Sequence, residues 1–349
     1  MLVNGKDYRS VWFENNKTFF VDQKKIPFNF EIVSSSDFAE TASFIRDMTV
    51  RGATAIGAAG AFGMAQAAIE AEEKKDFHIL ELARDRLVAA RPTAVDLKNC
   101  VERVYNKSVV GKDEAIHEAN KISEEIVSQC TALSNHGNDL IKDHFKIATH
   151  CNTGWLAAVD VGTALGVVFA ANKSGKNVFV FVDETRPRNQ GSRLTAWELS
   201  NEGINHAVIA DNALAYYMQK GEVDIMIVGT DRVLLNGDIA NKIGTLEKAI
   251  IAKEFGVPFY VAAPITTFDR EHDSVGSITI EERSADEVLY QYGQCDDGKI
   301  GRVRVASPGS DAKNPAFDIT PAKYITGLIT PHGIIKPEKS EILKLIKTR

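Results

Sequence analysis

The sequence predicts an α/β protein in which a mostly helical N-terminal domain with a small antiparallel sheet precedes a C-terminal domain built on a parallel sheet. Apolar residues recur at helical spacing through most of the first part of the chain. After residue 145, short runs of β-branched and aromatic residues alternate with helical patterns. The composition changes most sharply between residues 134 and 146, so we expect domains at 1–135 and 136–349.

The N-terminal domain is expected to begin with strands and to continue as helices. Alternating residues predict a small antiparallel sheet over Ser10–Phe13, Thr18–Val21 and Phe28–Val33. Helical spacing then predicts helices near residues 37–48, 54–73, 77–90, 93–106 and 113–134, with a further short segment at 136–143. Within the second helix, Gly57, Gly60 and Gly63 follow no strand and no GxGxxG turn, which indicates a close-packing helix face and not a dinucleotide site.

The C-terminal domain shows repeated strand–helix units. The predicted strands are Lys146–Thr149, Asn177–Val182, His206–Ala210, Asp224–Val228 and Pro258–Ala262. A helical pattern follows at least the first four of them, which favours a parallel sheet covered on both faces. Ligands of such sheets bind beyond the carboxyl ends of the strands, near the point where the strand order reverses.

Two reactive side chains follow different strands of this predicted sheet. Cys151 lies at the end of the first strand and the expected start of the next helix, where amide groups can acidify a thiol. A cysteine there can equally be a small buried apolar residue. Asp231 follows the fourth strand, where it can act as an acid or simply cap the next turn. Because both follow strands of one sheet, they can face one crevice.

Other segments indicate an anion site. Arg51 and the residues up to Gly57 open the second helix, and free amides beside an arginine bind anions well, although a surface ion pair is the alternative. Asn241 and Lys242 lie in what the pattern predicts to be a helix start, 236–245, and supply donors for a phosphate or a sugar hydroxyl. A solvated lysine is the alternative. The segment 183–191 is denser in polar groups than a simple connection.

Composition excludes several classes of function. With 41 Lys+Arg against 47 Asp+Glu, the net charge of −6 disfavours nucleic acid as a partner. The apolar stretches 56–71 and 155–171 fall short of the ~20 residues of a membrane span, so no membrane association is expected. The charged N-terminus and four dispersed cysteines favour a cytoplasmic protein with free thiols. Histidine spacing indicates no metal site, and no nucleotide-binding loop is present.

Motifs spread over nearly the whole chain resemble those of the methylthioribose-1-phosphate isomerases, which are related to the regulatory subunits of the eukaryotic initiation-factor guanine-nucleotide exchange complex. The motifs are RGATAIG (51–57), RPTAV (91–95), THCNTG (149–154), DETRPRNQGSRLTAWEL (183–199), ADN (210–212), VGTDR (228–232), NGDIANKIGT (236–245), PFYVAAP (258–264) and NPAFDITPAKYITGLIT (314–330).

The resemblance implies an aldose–ketose isomerase of methionine salvage that acts on a sugar phosphate without metal or cofactor. It also implies a Rossmann-like C-terminal domain and a homodimer. Carried over by motif, it assigns catalysis to Cys151 and Asp231. It assigns substrate contacts to Arg51, Gly52, Ala53, Arg91, Gln190, Asn241 and Lys242.

Three residues depart from the family pattern: Thr54 replaces Pro, Thr230 replaces Ala, and Trp155 replaces a small residue. They neighbour Arg51, Asp231 and Cys151, so the substituent at C5 of the sugar stays open. Similar proteins isomerise 5-deoxyribose 1-phosphate or ribose 1,5-bisphosphate, and a non-catalytic regulatory subunit is a further alternative. Trp155 either lines the C5 pocket or fills a core position.

Overall fold

Small antiparallel sheets form the beginning of the computed structural model, which describes residues 1–92, 94–270, 272, 273, 276 and 280–347. The first strands are β1 (Leu2–Val3), β2 (Lys6–Asp7), β3 (Val11–Glu14), β4 (Lys17–Val21) and β5 (Ile32–Ser35). Strands β3, β4 and β5 form the predicted sheet, whereas the β1–β2 hairpin was not predicted. The prediction that the third strand begins at Phe28 was wrong, because the N–H groups of Phe28 and Asn29 donate to the Lys25 carbonyl in a turn.

Helices follow this sheet, close to the predicted positions. They are α1 (Phe38–Arg46), α2 (Ala53–Lys74), α3 (His78–Ala90), α4 (Val95–Ser108) and α5 (Lys112–Asn138). Asp37 caps α1 by accepting from Glu40 N–H, and Glu40 Oε2 accepts in return from Ser36 N–H. The prediction of a separate helical segment at 136–143 was wrong, because α5 continues to Asn138 and the chain then turns. Thr93, where the fourth helix was predicted to begin, lies outside the described residues.

Helix α2 lies at the centre of this part and is buried along almost its whole length. Its glycines let other elements approach closely, which confirms the helix-packing interpretation. A Cβ atom at Gly60 would lie 2.4 Å from Leu97 Cδ1, and one at Gly63 would lie 2.9 Å from Leu87 Cδ2. The contact between α2 and α4 therefore requires residues without a side chain.

The C-terminal part alternates strands and helices. Its strands are β6 (Lys146–Thr149), β7 (Phe179–Asp183), β8 (Asn205–Ile209), β9 (Ile225–Val228), β10 (Arg232–Val233), β11 (Ile239–Lys242), β12 (Phe259–Ala262), β13 (Tyr290–Gln294), β14 (Ile300–Arg304), β15 (Phe317–Thr320), β16 (Gly327–Thr330) and β17 (Gly333–Ile335). Its helices are α6 (Ala164–Lys173), α7 (Ala196–Asn201), α8 (Leu214–Gln219), α9 (Thr245–Glu254), α10 (Asp286–Leu289) and α11 (Lys339–Lys347).

The predicted parallel sheet is confirmed. Its strand order is β17-β16-β12-β9-β6-β7-β8, and β17 is the antiparallel strand at one edge. Strands β7 and β8 extend from one side of β6, and the chain then crosses to β9 on the other side. The strand order therefore reverses between β6 and β9, which is where such sheets bind ligands. Strands β16 and β17 and the small sheet β10-β11-β15 were not predicted.

Within the described ranges, none of the helices is both long enough and apolar enough to cross a bilayer.

We predict that Gly60→Ala lowers the free energy of unfolding by roughly 1–3 kcal/mol, because the added methyl would overlap Leu97 and Val101 in a packed helix contact. The higher helix propensity of alanine opposes this loss by about 1 kcal/mol. Urea unfolding followed by circular dichroism measures the change. Gly293→Ala is the matched control, because a Cβ atom at Gly293 meets no other atom within 4 Å. A Gly60→Ala variant as stable as the wild type would contradict the close packing.

Candidate active site

One cavity lies where the carboxyl ends of β6 and β9 meet the N-terminal end of α2. It contains every residue that the family motifs assigned to the site: Arg51, Gly52, Ala53, Arg91, Cys151, Gln190, Asp231, Asn241 and Lys242. Further lining residues are Met48, Thr54, Asn152, Thr153, Gly154, Ala157, Ala158, Thr163, Gly229, Thr230, Pro264, Thr267 and Phe317. Side chains far apart in the sequence therefore surround a single space.

Cys151 is held by its backbone in a left-handed conformation with φ of 66°. Its N–H donates to Thr185 Oγ1 at 2.8 Å, and its carbonyl accepts from Thr195 Oγ1 at 2.7 Å. The residue is 7% exposed, and it lines the cavity. The expectation that it begins a helix was wrong, because a loop and a short 3₁₀ turn precede α6. Cys151 is therefore not at the N-terminus of the helix that follows it in the sequence.

Asp231 follows β9, and its N–H donates to the Ala240 carbonyl at 3.1 Å. No residue in the described part of the chain donates a hydrogen bond to its carboxyl group, so a capping role is not observed. Burial raises the pKa of Asp231 above its usual value. The charges of Lys242, Arg91 and Arg51 oppose this rise, and that of Glu281 adds to it. The carboxyl group therefore keeps its proton to a higher pH than an exposed aspartate does.

Lys242 lines the same cavity as this acid. The prediction that Asn241 and Lys242 begin a helix was wrong, because both belong to β11, which pairs with β10 and β15, and α9 starts only at Thr245. Lys242 Nζ donates to the Ala316 carbonyl at 2.9 Å and lies 4.5 Å from the centre of the Phe317 ring. Burial lowers the pKa of Lys242, while Cys151 and Asp231 oppose that change.

Arg51 connects the start of α2 with the loop after β6. Its guanidinium donates to Asn152 Oδ1 at 2.5 Å and to the Asn152 carbonyl at 2.9 Å. Gly52 has φ of 98°, and a Cβ atom there would lie 2.4 Å from Ala157 Cα. The first intrahelical bond runs from Ile56 N–H to the Gly52 carbonyl, so the amides of the first turn have no partner within the helix. Free amides beside a guanidinium are the combination that favours an anion at a helix N-terminus.

Two site side chains carry buried polar atoms that lack partners among the described residues. They are Arg91 Nε and Gln190 Oε1. The nearest carboxylate to Arg91 is that of Glu281, at 3.6 Å. Gln190 immediately precedes a π-helix, Gly191–Thr195, a distortion that often occurs at functional sites. Buried polar groups are normally hydrogen-bonded, so these two atoms are available to a bound polar molecule.

A buried network lies beside Cys151. His150, Asp183 and Asp211 are close enough to share an ion, a proximity that sequence spacing does not reveal. His150 already bonds Asp183 Oδ2 at 3.0 Å and the Ile243 carbonyl at 2.8 Å, and the hydrogen bond to Asp183 raises the pKa of His150 against the effect of burial. Asp211 accepts from the N–H groups of Thr185 and Arg186. The network therefore connects the loops that carry the site residues.

Trp155 is a core residue and not a wall of the cavity. It is 1% exposed and packs with Val21, Ile26 and Leu194. Its indole Nε1 donates to the Tyr8 carbonyl at 2.8 Å. Of the two alternatives for this residue, the structure therefore supports the filling of a core position.

Sequence reasoning missed three residues that hold the site side chains in place. Asn152 binds Arg51, Glu198 binds Asn152, and Thr195 binds Cys151. All three lie inside the quoted motifs THCNTG and DETRPRNQGSRLTAWEL, which is the signal that was present. Helical spacing does not reveal that a glutamate on a short helix is fully buried.

Comparison with known proteins places the chain in a family. The model of the initiation factor 2 subunit family matches residues 49–337. The chain belongs to this family. Within it, the chain is 46% identical to a methylthioribose-1-phosphate isomerase of Gluconobacter oxydans, over 95% of each chain. The resemblance inferred from the motifs is thereby confirmed.

Solved structures of family members have the same fold. The 5-methylthioribose 1-phosphate isomerase of Pyrococcus horikoshii OT3 superposes with a TM-score of 0.86 at 39% identity, covering 99% of this chain and 97% of that one. The translation initiation factor eIF-2B, subunit delta, from A. fulgidus superposes with a TM-score of 0.83 at 40% identity, covering 98% and 100%. These similarities confirm the predicted α/β fold with its helical N-terminal part and Rossmann-like C-terminal part.

Proposed function

We propose that this chain is an aldose–ketose isomerase that converts 5-methylthioribose 1-phosphate to 5-methylthioribulose 1-phosphate, a reaction of methionine salvage. The observation that carries the proposal is the cavity itself, where Cys151 and Asp231 lie together with Arg51, Arg91 and Lys242. The near full-length relative from Gluconobacter oxydans, which bears the name of this activity, supports the same assignment. Positive groups suit the phosphate, and an acid and a thiol suit the proton movements.

Ring opening is the first chemical requirement, because the phosphate ester on C1 locks the sugar as a furanose. We assign the acid of this step to Asp231, which donates its proton to the ring oxygen. Burial raises the pKa of Asp231, so the protonated form persists at higher pH than usual. Raised carboxyl pKa values serve the same purpose in other acid catalysts.

Cys151 acts on the opened sugar. In one mechanism Cys151, as the thiolate, takes the proton from C2 and returns it to C1 through an enediol phosphate. The O2 hydroxyl gives its proton back to the Asp231 carboxylate, which leaves the 2-keto product. In the other, hydride migrates directly from C2 to C1 and Cys151 stabilises charge. In both mechanisms, the Thr185 and Thr195 contacts fix the position of Cys151 through its backbone.

The remaining site residues position the substrate. Arg51, the amides of Gly52 and Ala53, and Lys242 hold the phosphate. Arg91, Gln190 and Asn241 contact the sugar hydroxyl groups, and the free atoms of Arg91 and Gln190 are suited to that contact. Fixing C1 and C2 against the acid and the thiol supplies several kcal/mol of the barrier, as positioning does in other enzymes.

The wider organisation of the protein is also part of the proposal. We assign residues 1–135 to an N-terminal domain and residues 136–349 to the catalytic domain, although α5 continues across this boundary to Asn138. The motif resemblance supports a cytoplasmic homodimer that needs neither metal nor cofactor.

The substrate is tested by comparing kcat/KM for 5-methylthioribose 1-phosphate, 5-deoxyribose 1-phosphate and ribose 1,5-bisphosphate. We expect the methylthio sugar to be preferred. A preference for the deoxy sugar would move the enzyme to deoxyribose salvage and contradict the assigned substrate. Absence of turnover with all three sugars would favour a regulatory subunit, a candidate raised by the A. fulgidus structure named as an initiation-factor subunit.

We predict that Asp231→Asn abolishes turnover, by about 10³-fold or more, while substrate binding changes little, because the amide keeps the shape of the carboxyl group but has no acidic proton. Steady-state kinetics and calorimetric titration with the substrate measure the two effects. Asp297→Asn, at an exposed position outside the cavity, is the matched control. Substantial residual activity in Asp231→Asn would remove Asp231 from the role of acid.

A further inference from the structure

Glu198 is a fully buried acid that the proposed chemistry does not use. It lies on α7, and its carboxyl group accepts three hydrogen bonds. Oε1 accepts from Asn152 Nδ2 at 2.8 Å and from Leu156 N–H at 3.2 Å, and Oε2 accepts from Trp155 N–H at 2.7 Å. The side chain therefore binds the loop after β6 at three points.

These contacts determine how the Asn152 amide is oriented. Its Nδ2 donates to Glu198 and, at 3.3 Å, to Thr195 Oγ1. Its Oδ1 is thereby directed to the guanidinium of Arg51, which it meets at 2.5 Å. Glu198 therefore binds the NH₂ group of the Asn152 side chain, which leaves the amide oxygen facing Arg51.

We propose that Glu198 is a positioning residue for the substrate phosphate: it holds Asn152 in the orientation that places Arg51 at the N-terminal end of α2. This inference rests on the proposed function, since it takes Arg51 to be a phosphate ligand. Glu198 itself does not line the cavity and acts through Asn152. The sequence of contacts is Glu198, Asn152, Arg51 and then the substrate.

The local packing is adapted to a carboxylate at this position. A Cβ atom at Gly154 would lie 2.0 Å from Glu198 Oε2, so the loop approaches the acid as closely as it does only because residue 154 is glycine. All three partners of Glu198 are N–H donors, and a carboxylate can accept from all of them. A glutamine would direct its own NH₂ group at one of these donors, which would break that hydrogen bond.

The cost of burying this group indicates a role beyond stability. Burial raises the pKa of Glu198 to about 7, against the opposing effects of its hydrogen bonds and of Arg51. A buried acid without an adjacent ion pair costs folding free energy. Strongly perturbed acids of this kind are concentrated at functional sites.

The test is the kinetics of Glu198→Gln with 5-methylthioribose 1-phosphate. We expect KM to rise by about tenfold or more while kcat stays within about threefold, because the phosphate contact is made equally in the ground state and the transition state. Glu202→Gln, at the C-terminal end of α7 and outside the cavity lining, is the control and should leave both constants unchanged. Thermal unfolding verifies that each variant is folded.

A double-mutant cycle connects the effect to Arg51. If Glu198 acts through Arg51, Arg51→Lys should raise KM by a smaller factor in the Glu198→Gln background than in the wild type. Independent effects, or a folded Glu198→Gln variant with wild-type KM, would overturn the proposal. Wild-type enzyme without isomerase activity would instead refute the proposed function, so the two failures are distinguishable.

A second variant covers the case in which Glu198→Gln does not fold. Asn152→Ala removes the Arg51 hydrogen bond to Asn152 Oδ1 but keeps the one to the residue 152 carbonyl and both backbone N–H bonds to Glu198. We expect the same selective rise in KM. An unchanged KM in a folded Asn152→Ala variant would also overturn the proposal.

Discussion

The close contact between the N-terminal end of α2 and the loop after β6 is the constraint on which the cavity depends. Gly52 lies against Ala157 without room for a side chain, and Arg51 binds Asn152 twice. The helical part of the chain thereby brings cationic and amide groups to a sheet edge that carries Cys151 and Asp231. The sheet contributes Lys242 to the cations of the cavity, but Arg51, Arg91 and the α2 amides come from the helical part, so the complete site needs both parts.

Burial of the site residues explains the direction of their pKa shifts. Burial raises the pKa of Asp231 and lowers the pKa of Lys242 and of Arg91. In each case the charged form is disfavoured, and neighbours of opposite charge restore only part of the loss. An acid that keeps its proton to higher pH than an exposed aspartate therefore lies beside cations that lack full hydration. This arrangement suits a dianionic sugar phosphate that must be protonated at its ring oxygen.

The sequence predicted those features that depend on local pattern. Runs of β-branched residues identified β6, β7, β8, β9 and β12 to within two residues, and helical spacing identified α1 to α5. Features that depend on distant partners were missed. The position of Lys242 on a strand was missed because the β10–β11 hairpin is short and because β11 pairs with β15, which lies far along the chain. Family motifs supplied the site residues. The burial of Glu198 was not predicted, because it depends on the packing of α7 against the loop after β6.

The protonation of Asp231 is the central claim of this mechanism, and carbon-13 NMR measures it directly. Side-chain carboxyl signals of aspartate-labelled protein would be followed from acid to alkaline pH, with Asp231 assigned by its absence from the Asp231→Asn spectrum. A raised pKa predicts that the Asp231 signal titrates above the ordinary aspartate range. Titration of Asp231 in the ordinary aspartate range or below would contradict its role as the acid that opens the ring.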